Sequence, residues 1–195
     1  MPRPWCDHFR FFAPFYDRVF DGDSMPRRIA SPLNLPVAGW LLDAGGGTGR
    51  VSQAVAAQTG GVVVADVSSG MLRQARRKGG LHPTHAQAEQ LPFASGGFER
   101  ILIVDAFHHF YHQEAAAREL WRVLRPGGRL VLLEPNIARW PVRLVALGEK
   151  LLLMRSRFLP AEELARLFTR LEKARVVVNT DDDPLTIQLI AEKLA

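Results

Sequence analysis

Cysteine is almost missing from this chain. Cys6 is the only one in 195 residues, so an intrachain disulfide and a cysteine-built zinc site are both excluded. No uninterrupted apolar stretch approaches the roughly 20 residues that span a bilayer. Met1-Pro2-Arg3-Pro4-Trp5 lacks the apolar run of a secretory leader. Lysine is scarce as well: Lys78, Lys150, Lys173 and Lys193 are four of 25 basic residues, and the other 21 are arginine. Internal repeats and low-complexity tracts are absent. These gaps lead to the expectation of a soluble, cytoplasmic domain without a metal.

What is present is ordinary globular composition, with 47% hydrophobic and 23% charged residues. A chain of this length buries roughly 70% of its unfolded surface and needs no covalent staple. The net charge of +5 and the isoelectric point near 10.0 invite a nucleic-acid reading. The basic residues are scattered, however, and the tightest groups are Arg73, Arg76, Arg77 and Lys78, then Arg139 and Arg143, then Arg155 and Arg157. A solvated helix face accounts for each, which argues against nucleic acid without excluding it.

Residues 1–36 differ from the rest. They are aromatic-rich (Phe9, Phe11, Phe12, Phe15, Tyr16, Phe20) and close on Ser31-Pro32-Leu33-Asn34-Leu35-Pro36, which reads as short helices, a lid, and a linker. Residues 37–195 form the main domain. There, apolar strands at 40–42, 62–66, 84–86, 100–104 and 129–134 alternate with helices at 50–58, after Ser68-Ser69, and at 113–124. Unbroken apolar strands between helices imply a parallel sheet covered on both faces. The end breaks the pattern. Strands at 174–179 and 185–190 are separated only by Thr180-Asp181-Asp182-Asp183-Pro184, too short for a crossover, so they pair antiparallel. The fold class is therefore α/β: a Rossmann-like, doubly wound, mostly parallel sheet with a C-terminal antiparallel hairpin and a helical N-terminal lid. A helical insert fills 135–173. Its first part, 140–154, is apolar on most sides and is expected to wall a pocket or meet another subunit.

The chemistry begins at Leu41-Leu42-Asp43-Ala44-Gly45-Gly46-Gly47-Thr48-Gly49-Arg50, a strand-to-helix turn where glycines let a ligand approach the backbone. A dinucleotide fingerprint starting at Gly45 and Gly47 would need glycine where Arg50 stands. Asp43 at the turn would repel a pyrophosphate and welcome an ammonium.

Further along come Asp66-Val67-Ser68-Ser69-Gly70-Met71, the loop Ala88-Glu89-Gln90-Leu91-Pro92-Phe93, and Arg122-Val123-Leu124-Arg125-Pro126-Gly127-Gly128. In order and spacing this set resembles the class I S-adenosylmethionine-dependent methyltransferases, and among them the "type 11" group of small-molecule and quinone-type enzymes, over roughly 40–195. The resemblance implies S-adenosylmethionine as cofactor and S-adenosylhomocysteine as product. It implies Gly45, Gly46, Gly47 and Gly49 beside the methionine part, with Asp43 near its ammonium. Asp66 would take both ribose hydroxyls, Val67 and Met71 the adenine faces, and Ala88 and Glu89 its edge. Gln87 stands where relatives often place an acid on the adenine amino group. Asp105, opening Asp105-Ala106-Phe107-His108-His109-Phe110 after the fourth strand, would approach the methionine group. Tyr16, in Phe15-Tyr16-Asp17, is similar to a segment that closes over the cofactor.

No catalytic residue is fixed by this reading; Tyr16, His108 and His109 are the candidates. The His pair admits packing within its loop, a proton-accepting role or, with His112, a metal. Adjacent histidines on a turn usually diverge, so the metal is disfavoured. The expected activity is methyl transfer to a small, apolar acceptor. The alternatives are an RNA methyltransferase, supported by charge alone, and a catalytically silent S-adenosylmethionine-binding protein.

Overall fold

The structure, a computed structural model, describes residues 29–151 and 156–195. Seven strands form one sheet in the order β3-β2-β1-β4-β5-β7-β6. They are β1 (Trp40–Ala44), β2 (Gly61–Asp66), β3 (Leu81–His85), β4 (Phe98–Val104), β5 (Leu124–Pro135), β6 (Ala174–Asn179) and β7 (Thr186–Lys193). β1 to β5 are parallel, and β7 runs antiparallel to both β5 and β6. The terminal hairpin is thus present in the expected register sense, with Ala174 opposite Lys193 and Asn179 opposite Gln188.

The strands are two-sided. Leu42, Ile101, Ile103, Leu130 and Leu132 pack on one face, while Leu41, Leu102, Val131 and Leu133 pack on the other. This is the period-two alternation of a pleated strand buried on both sides. The weakest strand on sequence, β3, holds Pro83, and it survives because it is an edge strand bonded only to β2.

The helices are short: α1 (Arg50–Gln53) with a 3-10 turn at Ala56–Gln58, α2 (Ser69–Ala75), α3 (Gln113–Val123), α4 (Trp140–Leu151) and α5 (Ala161–Thr169). Ser68 caps α2 as expected, its hydroxyl accepting from the Met71 amide at 3.3 Å. Ile29 and Leu33 are fully buried in the second core, and Arg129 Nη1 donates to the Pro32 carbonyl at 2.9 Å. The described end of the N-terminal region is therefore part of the main body and not a loose linker. Tyr16 and the remaining lid aromatics lie outside the described residues. No helix among the described residues is long and apolar enough to cross a membrane.

The start of the insert departs from the pocket-wall reading and leaves the subunit reading open. Val142 is buried, but Trp140, Leu144 and Leu147 are 72%, 58% and 54% exposed. These three follow helical spacing on one side of α4, and none of them reaches the cleft described next. In this part of the insert the apolar surplus is an outward stripe, not a cavity wall.

Candidate functional site

The strand order reverses at β1, whose neighbours are β2 and β4. Crossover helices diverge there, which opens a crevice beyond the carboxyl ends of the strands. A cleft of about 1050 Å³ occupies that position. Its floor is the loop between β1 and α1, and its sides come from the ends of β2 and β4 and the loop after β3.

Asp43 lies beneath the glycine loop and is 2% exposed. A Cβ on Gly46 would fall 2.4 Å from the Asp43 carboxyl carbon, so only glycine lets the loop pass over this side chain. Burial pushes the Asp43 carboxyl up to about 7; Asp66 pushes the same way, against a hydrogen bond from Ser52. Its Oδ2 is buried without a hydrogen-bond partner. A native structure rarely leaves a buried carboxylate oxygen in that state unless something else completes it.

Asp66 ends β2 and is held from two sides: the Gly47 amide donates to Oδ2 at 2.9 Å and the Ser68 amide to Oδ1 at 2.7 Å. Charge-assisted bonds of this kind fix a carboxylate's plane before any ligand arrives. Val67 and Met71 line the cleft beside it. Across from them, Gln87 and Gln90 form a bridge that shapes the 87–89 loop, and Glu89 Oε1 accepts from the His112 amide at 2.9 Å.

The segment after β4 is built around Glu134, the penultimate residue of β5. Its Oε1 accepts from the amides of Ala106 and Phe107 at 2.9 and 2.8 Å. Its Oε2 accepts from the His108 amide at 3.2 Å and meets His108 Nδ1 at 2.7 Å. Asp105, at the mouth of this turn, has a left-handed φ of 50°. Non-glycine residues adopt that conformation mainly where surrounding bonds over-determine it, and Glu134 supplies them here. His109 Nδ1 lies 3.2 Å from Ser156 Oγ, and burial, with His108 beside it, holds its pKa down to about 3. The imidazole is neutral at physiological pH. Among the described residues no three His, Cys, Asp or Glu side chains are gathered as a metal site.

Three comparisons bear on this geometry. Residues 42–132 match a family described as a methyltransferase domain. The ubiquinone/menaquinone biosynthesis C-methyltransferase UbiE of Haemophilus ducreyi is 38% identical over 104 residues, which is 48% of this chain and 40% of that protein. The chain thus spans less than half the length of this curated relative. In solved structures the fold recurs in a complex between the Haloferax volcanii Trm112 methyltransferase activator and a methyltransferase, with TM-score 0.82, 16% identity, and coverage of 97% and 99%. It recurs again in an S-adenosylmethionine-dependent methyltransferase of Aquifex aeolicus, with TM-score 0.71, 16% identity, and coverage of 93% and 98%. Residues 42–132 are thus similar to a methyltransferase domain, and the fold is shared with these solved structures.

Around this cleft the expected residues divide into two sets. Asp43, Gly45, Gly46, Gly47, Asp66, Val67, Met71, Gln87, Ala88, Glu89, Asp105 and His109 all line the cleft. Two do not. Gly49 sits behind the loop, where a Cβ would lie 2.5 Å from Leu81 Cδ1 and 3.2 Å from Val64 Cγ2. Its glycine identity serves the close approach of α1 to β2 and β3 and a φ of 66°, rather than contact with a cofactor. His108 is buried under its loop, bonded to Glu134 and stacked on Phe158 at 4.3 Å, so it holds the loop and does not face the cleft. Sequence reasoning missed Glu134 and the cleft-lining Arg50, Phe110 and Tyr111. Glu134 had a legible signal: it is the one charged side chain closing the buried run Leu130-Val131-Leu132-Leu133.

Proposed function

We propose that this chain transfers a methyl group from S-adenosylmethionine to a small, apolar acceptor. The observation that carries the reading is Asp66, clamped by the Gly47 and Ser68 amides at the switch point and lining the cleft. A carboxylate so fixed suits a pair of ribose hydroxyls. The cofactor passes a test of fit on the orphaned Asp43 Oδ2, which would complete itself with an ammonium through the glycine loop. The 87–89 loop and the Val67 and Met71 side chains bound a slot suited to a purine.

S-adenosylmethionine, when bound, supplies a methyl group already activated on a sulfonium. What remains for the protein is alignment and exclusion of water. Asp43 would hold the amino-acid end of the cofactor and Asp66 its ribose. The Asp105–His109 turn, fixed by Glu134, forms the wall at the carboxyl end of β4. His109 is the one histidine of its pair on the cleft. In the tautomer whose Nδ1 donates to Ser156 Oγ, its neutral Nε2 offers a lone pair that would accept a hydrogen bond from the methyl acceptor. Phe110 and Tyr111 give that side an aromatic lining, in keeping with an apolar acceptor. The quinone-type chemistry in the UbiE relative's name belongs to the same acceptor class.

Titration calorimetry tests the reading. The protein should bind S-adenosylhomocysteine and not NAD, and Asp66→Ala should weaken binding about tenfold or more. Equal affinity of the variant, or preference for NAD, would refute it.

A further inference from the structure

Resting on the cofactor reading above, we infer that Arg50 binds the carboxylate at the amino-acid end of S-adenosylmethionine. Arg50 opens α1, directly after the glycine loop, and lines the same cleft as Asp43. Its Nε is cut off from solvent and has no hydrogen-bond partner. Among the described residues its guanidinium joins no ion pair, although four acidic side chains share the cleft. Asp66 is engaged by the Gly47 and Ser68 amides, Glu89 by the His112 amide, and Asp43 by Ser52. Lys78, the other cation near the loop, donates to Thr48 Oγ1 at 3.3 Å and does not line the cleft.

Buried donors and acceptors are almost always paired, so orphans mark places where a partner is missing. Only three buried side-chain atoms among the described residues lack one, and two of them, Asp43 Oδ2 and Arg50 Nε, belong to this cleft. They carry opposite charge and flank one glycine loop. The ligand chemistry that completes both is a zwitterion with an ammonium and a carboxylate on adjacent bonds, an α-amino acid. Arg50 is also the only lysine or arginine lining the cleft among the described residues, which makes it the described cation placed to serve the carboxylate. A guanidinium offers it a planar, bidentate fork. The same arginine that breaks the dinucleotide fingerprint thus becomes a specificity element for the amino-acid tail.

The test uses two probes: S-adenosylhomocysteine and its analogue with the carboxylate replaced by hydrogen. Calorimetry on the wild-type chain should show the analogue binding about tenfold more weakly. Arg50→Gln should lower affinity for S-adenosylhomocysteine about tenfold while holding the analogue within about twofold, and Arg50→Lys should recover part of the loss. Retained analogue binding shows that the variant is folded. If Arg50→Gln leaves the ratio between the two probes at its wild-type value, the inference falls and the cofactor reading stands. If the wild-type chain binds neither probe, both fall together.

Discussion

His108 Nδ1 and Glu134 Oε2 meet at 2.7 Å inside the protein, and the same carboxylate gathers the amides of Ala106, Phe107 and His108. The pair also reaches the insert. The Arg157 amide donates to the His108 carbonyl at 2.8 Å, Gln113 Nε2 bridges the carbonyls of Phe107 and Arg157, and Phe158 stacks on the His108 ring. One buried acid therefore ties β5, the turn after β4 and the segment leading into α5 into a single unit.

Glu134→Ala removes one partner of a buried pair and leaves three amides without an acceptor. It should cost about 3–5 kcal/mol, read as a lowered midpoint in urea unfolding. Glu134→Gln keeps the volume and one acceptor, and should cost less. In the wild type, proton NMR should show a downfield His108 Nδ1–H resonance that vanishes in Glu134→Ala.

Asp43 carries a pH dependence whose direction is fixed by its pKa of about 7. The ammonium pairs with the ionised form, so affinity for S-adenosylhomocysteine should be about tenfold weaker at pH 6 than at pH 8. Asp43→Asn should bind more weakly and lose this slope. In the cofactor-free protein the sign is opposite. The folded pKa lies above the ordinary 3.8, so stability is present below about pH 4 and is lost as pH rises towards 7. Asp43→Asn should therefore gain about 2–4 kcal/mol at pH 8 in the absence of ligand, measured by chemical denaturation.

Gly49→Ala separates packing from binding. A methyl at φ 66°, driven against Leu81 and Val64, should destabilise by about 2–4 kcal/mol. Cofactor affinity measured well below the melting temperature should be unchanged.

Leu147→Gln replaces an exposed apolar residue of α4 by a polar one. Stability should stay within about 0.5 kcal/mol and cofactor affinity should not move. A loss of affinity would return the helix to the cavity wall.

The sheet was legible because its signals are local. Val62-Val63-Val64 and Ile101-Leu102-Ile103 are β-branched or apolar on both sides, and Thr180 to Pro184 is too short for anything but a tight connection. Most of the cleft was legible for a related reason: Asp43, the glycines and Asp66 sit at strand ends, where chain direction alone brings them together. The failures share a different physics. Gly49 reads the same as its neighbours, and only the proximity of Leu81, 32 positions away, makes it a packing residue. His108 and His109 are adjacent in sequence, yet Glu134 on another strand decides which is buried. For α4, apolar composition could not reveal which side of the helix meets the sheet, and Trp140, Leu144 and Leu147 face outward.

The place of β7 between β5 and β6 has a consequence for how the molecule assembles. β6 precedes β7 in the chain but reaches the sheet only through it, by the six pairs from Ala174 and Lys193 to Asn179 and Gln188. During synthesis β6 therefore has no strand of the sheet to bond to until β7 has emerged. Every described residue that lines the cleft precedes β5 in the chain. Glu134, which fixes the wall of that cleft, stands opposite Ile187 of β7. The wall of the cleft is therefore held by a strand whose outer neighbour does not itself line the cleft.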